Sequence, residues 1–117
     1  MQVPDPELQK IFGKWEWVST SGGFAGKAIT PAREGYTVRI EFSNEGIYHK
    51  FKNDSLADRK QFSFVQKESI QTHQPVWLLS FEGESSLPMA VSFSGRDTLM
   101  LDEQVHDGFE YVYARIK

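Results

Sequence analysis

The sequence contains no cysteine among its 117 residues. Disulfide bonds, thiolate metal ligands and a cysteine nucleophile are therefore excluded. No apolar run is long enough to cross a bilayer as a helix. The net charge of −3 is small and argues against nucleic acid as the main partner. The length suits one hydrophobic core, so we predict that residues 1–117 form a single domain.

Motifs for catalysis and metal binding are also scarce. There is no Gly-x-Ser-x-Gly nucleophile elbow, and the glutamates of the predicted strands fall on outward faces. His73 and His106 fall in predicted turns, and no histidine pair has the spacing of metal ligands. We therefore predict no metal site, no cofactor and no enzymatic activity, and His49 is the one residue worth testing for catalysis.

Aromatic residues, by contrast, make up 14% of the chain, and many recur at every second position. In segment 13–18, Trp15 and Trp17 alternate with charged residues, which is typical of a strand with one buried face. Segment 109–117 alternates in the same way, with Arg115 in phase with the aromatic residues. If the first and last strands pair antiparallel, Arg115 lies over Trp15 in a cation–π contact. Three residues are interpreted as structural: Gly13, Trp15 and Arg115.

Turn residues divide the chain into about eight short segments, which is typical of an all-β sandwich or barrel. The predicted strands cover residues 15–19, 36–42, 47–52, 61–66, 76–81, 89–93, 99–101 and 109–117. Ahead of them, Asp5 can cap one helical or 3₁₀ turn that has Pro6 at its first position.

Segments 36–42 and 47–52 give the strongest hairpin signal, joined by the turn 43–46 with glycine at its last position. Even-numbered residues of the first segment are apolar and are expected to face the core. In the second segment the more apolar alternation is the odd-numbered one. We therefore place three of its residues inward: Ile47, His49 and Phe51.

The fold predicted from these patterns is an all-β, antiparallel, up-and-down barrel of eight strands. Residues 1–12 form a plug at one end, and residues 13–117 form the barrel. The long connection 20–34 lies over the other end, and its Gly22-Gly23-x-x-Gly26 motif is interpreted as part of a flexible lid rather than a phosphate cradle. A small β-sandwich is the alternative, and it predicts no contact between Trp15 and Arg115.

Gly-x-Trp at the head of the first strand, with an arginine near the end of the last, resembles the lipocalin signature. The chain is similar to short bacterial lipocalin-like domains over essentially its whole length. The matching pieces are segment 13–18, loop 21–26, the Thr30-Pro31 and Gly35-Tyr36 steps, and segment 107–111. A Thr-Asp-x-Tyr second motif and room for a long helix after the barrel are missing. The resemblance implies a calycin-type β-barrel that binds a small hydrophobic molecule; some such barrels are isomerases or carry haem.

The N-terminal residues 1–6 lack the basic and apolar regions of a signal peptide. A cytoplasmic protein and a mature domain whose export signal has been removed both fit this observation. Bacterial lipocalin-like domains are often exported or lipid-anchored. The resemblance therefore favours a periplasmic, secreted or cell-surface protein.

The predicted interior is apolar with a few polar tips, which suits either a ligand pocket or a packed core. Our first hypothesis is binding or transport of a small hydrophobic molecule inside the barrel. The predicted ligand-binding residues are Trp17, Tyr36, Val38, His49, Phe51, Phe64, Phe93, Tyr111 and Tyr113. The alternative is a filled barrel that acts through its outer surface as an interaction or inhibitory module. That hypothesis predicts an exposed apolar patch around Phe24, Ile29 or Trp77.

Overall fold

The computed structural model of the chain describes residues 3–22, 28–70, 72–83, 88–105 and 108–116. Over these ranges, eight antiparallel strands each pair with their neighbours in sequence, and the first also pairs with the last. The elements are a 3₁₀ helix Pro6–Ile11, β1 Gly13–Gly22, α1 Pro31–Glu34, β2 Val38–Phe42, β3 Ile47–Lys52, β4 Ser55–Glu68, β5 Pro75–Phe81, β6 Met89–Ser94, β7 Thr98–Glu103 and β8 Phe109–Arg115. The predicted closed barrel with a short N-terminal helical turn is confirmed. Within the described ranges, neither helix has the length and apolar character needed to cross a membrane.

The N-terminal 3₁₀ helix closes one end of the barrel. Asp5 caps it as predicted, since its carboxylate accepts a hydrogen bond from the Glu7 backbone N–H at 2.9 Å. Leu8 and Ile11 are buried, and Ile11, at 0% exposure, belongs to the barrel core. The Trp15 indole N–H donates to the Ile11 carbonyl at 2.8 Å, which ties the helix to β1. We call this end the plugged end, and the opposite end, where β1 finishes and β8 begins, the cavity end.

Arg115 joins the first strand, the last strand and the plug. It pairs with Trp15 across β1 and β8, and its guanidinium carbon lies 4.2 Å from the indole ring centroid. Its terminal nitrogens donate to the carbonyls of Lys10 and Phe12. Gly13 has a φ of +125°, and a Cβ there would lie 3.0 Å from the Arg115 Nη1 atom, so glycine leaves room for the guanidinium. The expected contact is present, and the sandwich alternative is wrong.

The hairpin between β2 and β3 is built on a three-residue loop rather than the four-residue turn that the sequence suggested. Phe42 pairs with Tyr48, and the Ser43 N–H donates to the Ile47 carbonyl at 2.9 Å. Gly46, with a φ of +84°, takes the left-handed position of a G1 bulge. The loop is therefore one residue shorter than the predicted turn.

This one-residue difference reverses the orientation of every side chain in β3. The inward placement of Ile47, His49 and Phe51 is wrong, because His49 and Phe51 pair with the outward residues Glu41 and Arg39. The Arg39 guanidinium carbon lies 4.3 Å from the Phe51 ring centroid on this outer face. The residues of β3 that share the inward face are Tyr48, Lys50 and Lys52.

Strand β4 is longer than predicted because the preceding turn is tighter than expected. Asn53 and Asp54 have φ values of +50° and +65°, as in a two-residue type I′ hairpin turn, so the strand begins at Ser55 and not at residue 61. Its first half pairs with β3 and its second half with β5. The long connection after β1 holds a further unpredicted element, α1, which Thr30 caps by accepting from the Arg33 N–H at 3.3 Å.

The core fills the plugged end and the middle of the barrel. Phe42 and Phe62 meet edge to face with their ring centroids 5.1 Å apart, and Phe64 packs against Phe62 in the same way at 5.8 Å. The buried core cluster comprises Ile11, Trp15, Trp17, Val38, Ile40, Phe42, Phe62, Leu79, Leu99, Leu101 and Tyr113. The side chains nearer the cavity end leave a space between them.

Candidate functional site

The cavity end holds a cavity of about 120 Å³. Its lining residues are Trp17, Thr20, Tyr36, Val38, Lys50, Tyr111 and Tyr113. Trp17, Tyr36, Val38, Tyr111 and Tyr113 are among the predicted ligand-binding residues. Thr20 and Lys50 were missed. A cavity of roughly 150 Å³ can hold benzene in an engineered protein, so this volume suits a molecule of about one ring.

Trp17 and Tyr36 form the aromatic wall of the cavity. Their rings are stacked, with centroids 5.7 Å apart and planes inclined by 19°. Tyr36 precedes β2 rather than opening it, and it follows Gly35, whose left-handed backbone ends α1. The Lys52 Nζ atom lies 4.3 Å from the Tyr36 ring centroid. The wall is thus positioned by β1, by the end of α1 and by a cation from β3.

Thr20 faces the cavity because β1 contains a bulge. Trp17 pairs with Tyr113, but the register then shifts, so that Thr20 rather than Ser19 lies opposite Tyr111 on the inward face. The Trp17 indole N–H donates to the Thr20 hydroxyl at 2.8 Å. A bulge adds one residue without interrupting the strand, so simple alternation in the sequence does not reveal it.

Lys50 lines the cavity and is exposed to solvent, which places it at the rim. Its inward orientation follows from the short β2–β3 loop, and its cross-strand partners are Ile40 and Asp58. Asp58 forms an ion pair with Lys60 at 3.0 Å, and this hydrogen bond lowers the pKa of the Asp58 carboxyl, with a smaller contribution from the charge of Lys50. Within the described ranges, the Lys50 side chain makes no hydrogen bond or ion pair.

Two tyrosine hydroxyls complete the lining. Burial raises the pKa of Tyr111, with a smaller contribution from the Glu103 carboxylate, and burial also raises the pKa of Tyr113. Both phenols therefore stay protonated at neutral pH and can donate hydrogen bonds. Neither hydroxyl bonds to another residue of the described part of the chain. Glu103 does not line the cavity, and its carboxylate accepts from the Phe109 backbone N–H at 2.9 Å.

The other predicted ligand-binding residues lie elsewhere. His49 and Phe51 are on the outer face of β3. Phe64 packs against the core cluster, and Phe93 lies toward the plugged end, with its ring centroid 6.4 Å from that of Trp15. None of the four lines the cavity.

Metal ligands do not come together in the described part of the chain, where no three histidine or carboxylate side chains form a group that could hold an ion. His73 lies in an exposed turn, as expected, and its Nδ1 atom is 3.1 Å from a Glu68 carboxylate oxygen. His106 and the Gly23–Gly26 part of the glycine motif lie outside the described residues.

No protein-family model, curated protein or solved structure matches this chain. The fold and the cavity are therefore the features from which function has to be inferred.

Proposed function

We propose that this chain is a lipocalin-like barrel that binds a small hydrophobic molecule of about one ring in the cavity. The aromatic-walled cavity, opposite an end that the 3₁₀ helix plugs, is the observation that carries this proposal. The stacked Trp17 and Tyr36 rings offer an apolar face, and Tyr111 and Tyr113 offer hydroxyls that can orient a polar group. Burial of apolar ligand surface, at ~25 cal/mol per Å², is the main source of affinity.

The outer surface gives less support to the alternative, a filled barrel that acts as an interaction module. Ile29 and Trp77 are half-buried, and the Trp77 indole N–H lies 3.3 Å from an Asp5 carboxylate oxygen; Phe24 lies outside the described residues. Among the described residues, the exposed large apolar side chains lie on β1, toward both ends of β4, in a turn, at the start of β8 and just after its end: Val18, Leu56, Val65, Ile70, Phe109 and Ile116. Apolar residues scattered in this way are ordinary on a protein surface.

The test is a titration of ¹⁵N-labelled protein with a panel of neutral and charged single-ring compounds, followed by NMR. Each tryptophan indole N–H gives its own signal. The Trp17 signal is expected to shift and saturate, because this indole borders the cavity. The Trp15 signal should not shift, because that indole N–H donates a hydrogen bond to the Ile11 carbonyl at the plugged end, away from the cavity.

Two matched variants localise the binding. Val38→Phe adds a ring in the cavity wall and should abolish the Trp17 shift, whereas Val65→Phe on the outer face of β4 should leave it unchanged. If no compound in the panel produces a saturable shift of the Trp17 signal in folded protein, the proposal is wrong.

A further inference from the structure

The polar groups that line the cavity are hydrogen-bond donors. Lys50 contributes an ammonium group, and Tyr36, Tyr111 and Tyr113 contribute phenol hydroxyls. The Thr20 oxygen already accepts the indole N–H of Trp17, which leaves its own O–H to donate. Among the described residues, no carboxylate or side-chain amide belongs to the lining. A ligand that brings acceptors can bond to every one of these groups, whereas a ligand that brings only donors cannot bond to the Lys50 ammonium.

Among the described residues, the charges on the β3 side of the cavity are mainly positive. Lys50 and Lys52 both face inward on β3, and the nearest carboxylate on the neighbouring strand, Asp58, is paired with Lys60. Lys52 lies over the Tyr36 ring, whereas the Lys50 side chain has no hydrogen bond or ion pair within the described ranges. Glu103 is four strands away from β3 around the barrel and is held by the Phe109 N–H. The rim beside β3 is therefore suited to a single negative charge.

We propose that the ligand is a monocarboxylic acid with one ring or an equally small apolar body. The Lys50 ammonium and the hydroxyls of Tyr111 and Tyr113 bind the carboxylate, and the apolar body lies against the Trp17–Tyr36 stack. Hydrogen bonds that involve a charged partner are about twice as strong as neutral ones, so the anion is preferred over a neutral analogue of the same shape. This inference rests on the proposed function and specifies the ligand class of the same cavity.

The experiment compares benzoate with benzamide, a neutral molecule of nearly the same shape. Both are titrated into the full chain at pH 7 and low ionic strength, because salt screens a charge at the rim. The Trp17 indole signal reports binding in the cavity. We expect benzoate to bind at least about tenfold more tightly than benzamide.

Two charge-removing variants locate the source of this preference. Lys50→Gln should reduce the difference between benzoate and benzamide to less than about threefold, since the ammonium is removed and the cavity is kept. Lys14→Gln makes the same change on the exposed outer face of β1 and should keep the full preference. Thermal unfolding of each variant verifies that the barrel is intact.

The outcomes separate the two proposals. Equal affinities for benzoate and benzamide in the wild-type protein, or an unchanged preference in Lys50→Gln, would overturn the carboxylate assignment while leaving a hydrophobic binding barrel in place. If neither probe nor any other single-ring compound shifts the Trp17 signal, the proposed function fails, and the carboxylate assignment fails with it.

Discussion

At the scale of single residues, two carboxyl groups face each other on the outer wall. Asp102 on β7 pairs directly with Glu110 on β8. Partial burial, helped by a hydrogen bond and charge repulsion with Glu110, raises the pKa of Asp102 from its ordinary value of 3.8 to about 6. Above about pH 6 the Asp102 carboxylate is expected to be charged, and like charges opposite one another destabilise a sheet.

The consequence is a pH-dependent stability that a single substitution removes. An acid with a higher pKa in the folded protein binds more protons when folded, so its contribution to stability falls as the pH rises from about 4 to about 6. Asp102→Asn should therefore stabilise the protein at pH 7, by about 1 kcal/mol after solvent screening at this half-exposed site. Urea unfolding from pH 4 to pH 8 measures the gain.

The gain should be small at pH 4, rise through pH 6 and level off above it. Glu110→Gln should produce a smaller gain with the same pH dependence, because it removes the repelling partner of Asp102 and leaves its burial unchanged. Glu45→Gln, at an exposed position in the β2–β3 turn, serves as the control and should follow the wild-type curve. A constant gain across the whole pH range would contradict the assignment.

Some residues of the barrel closure and of the site could be predicted from the sequence, and others could not, for a definite physical reason. Trp15 and Arg115 were predictable because both lie on strands with strong alternation that meet at the ends of the chain. Lys50 and Thr20 were missed because each owes its orientation to a one-residue change in register, at the Gly46 bulge and at the β1 bulge. The alternation of apolar and polar residues does not reveal such a change. A one-residue shift moves the side chains to the opposite face of the sheet and leaves the sequence pattern unaltered.

At the scale of elements, the β2–β3 loop decides which side chains of β3 reach the cavity. The three-residue loop requires a left-handed backbone at Gly46, whose φ is +84°. This region costs other L-residues roughly 1–2 kcal/mol. Gly46→Ala should lower the free energy of unfolding by about that amount. Asn44→Ala, in the same loop but with a negative φ, should change it by less than about 0.5 kcal/mol.

Urea unfolding of the two variants measures this difference. Equal effects of Gly46→Ala and Asn44→Ala would mean that the left-handed backbone at residue 46 does not determine the loop conformation.

The sequence of the same loop is compatible with two conformations. A glycine at the fourth position of Ser43-Asn44-Glu45-Gly46 fits either a four-residue turn or a three-residue loop with a bulge, and only the second places Lys50 inward.

At the scale of the whole molecule, the two ends of the barrel have different physical roles. At the plugged end Ile11 and Trp15 are at 0% exposure, and Arg115 bridges the helix and the closing strands. The cavity end contains hydroxyls without partners among the described residues. We therefore expect the plugged end to contribute most to stability and the cavity end to bind the proposed ligand.

This division predicts that the two properties can be changed separately. Ile11→Ala leaves a hole in the plug and should cost about 2–4 kcal/mol in the free energy of unfolding. Because Ile11 does not line the cavity, the dissociation constant of the tightest single-ring ligand should change by less than about twofold. Urea unfolding and the Trp17 NMR titration measure the two quantities on the same sample.

Tyr111→Phe should leave stability nearly unchanged and weaken ligand binding. Its hydroxyl bonds to no other described residue, so its removal should change stability by less than about 0.5 kcal/mol. A ligand with an acceptor group should nevertheless bind several-fold more weakly, because one hydrogen-bond donor has been removed from the cavity.

Loss of binding in Ile11→Ala while the protein stays folded would show that the plug shapes the cavity as well as closing the barrel, and the proposed separation of the two ends would then be wrong.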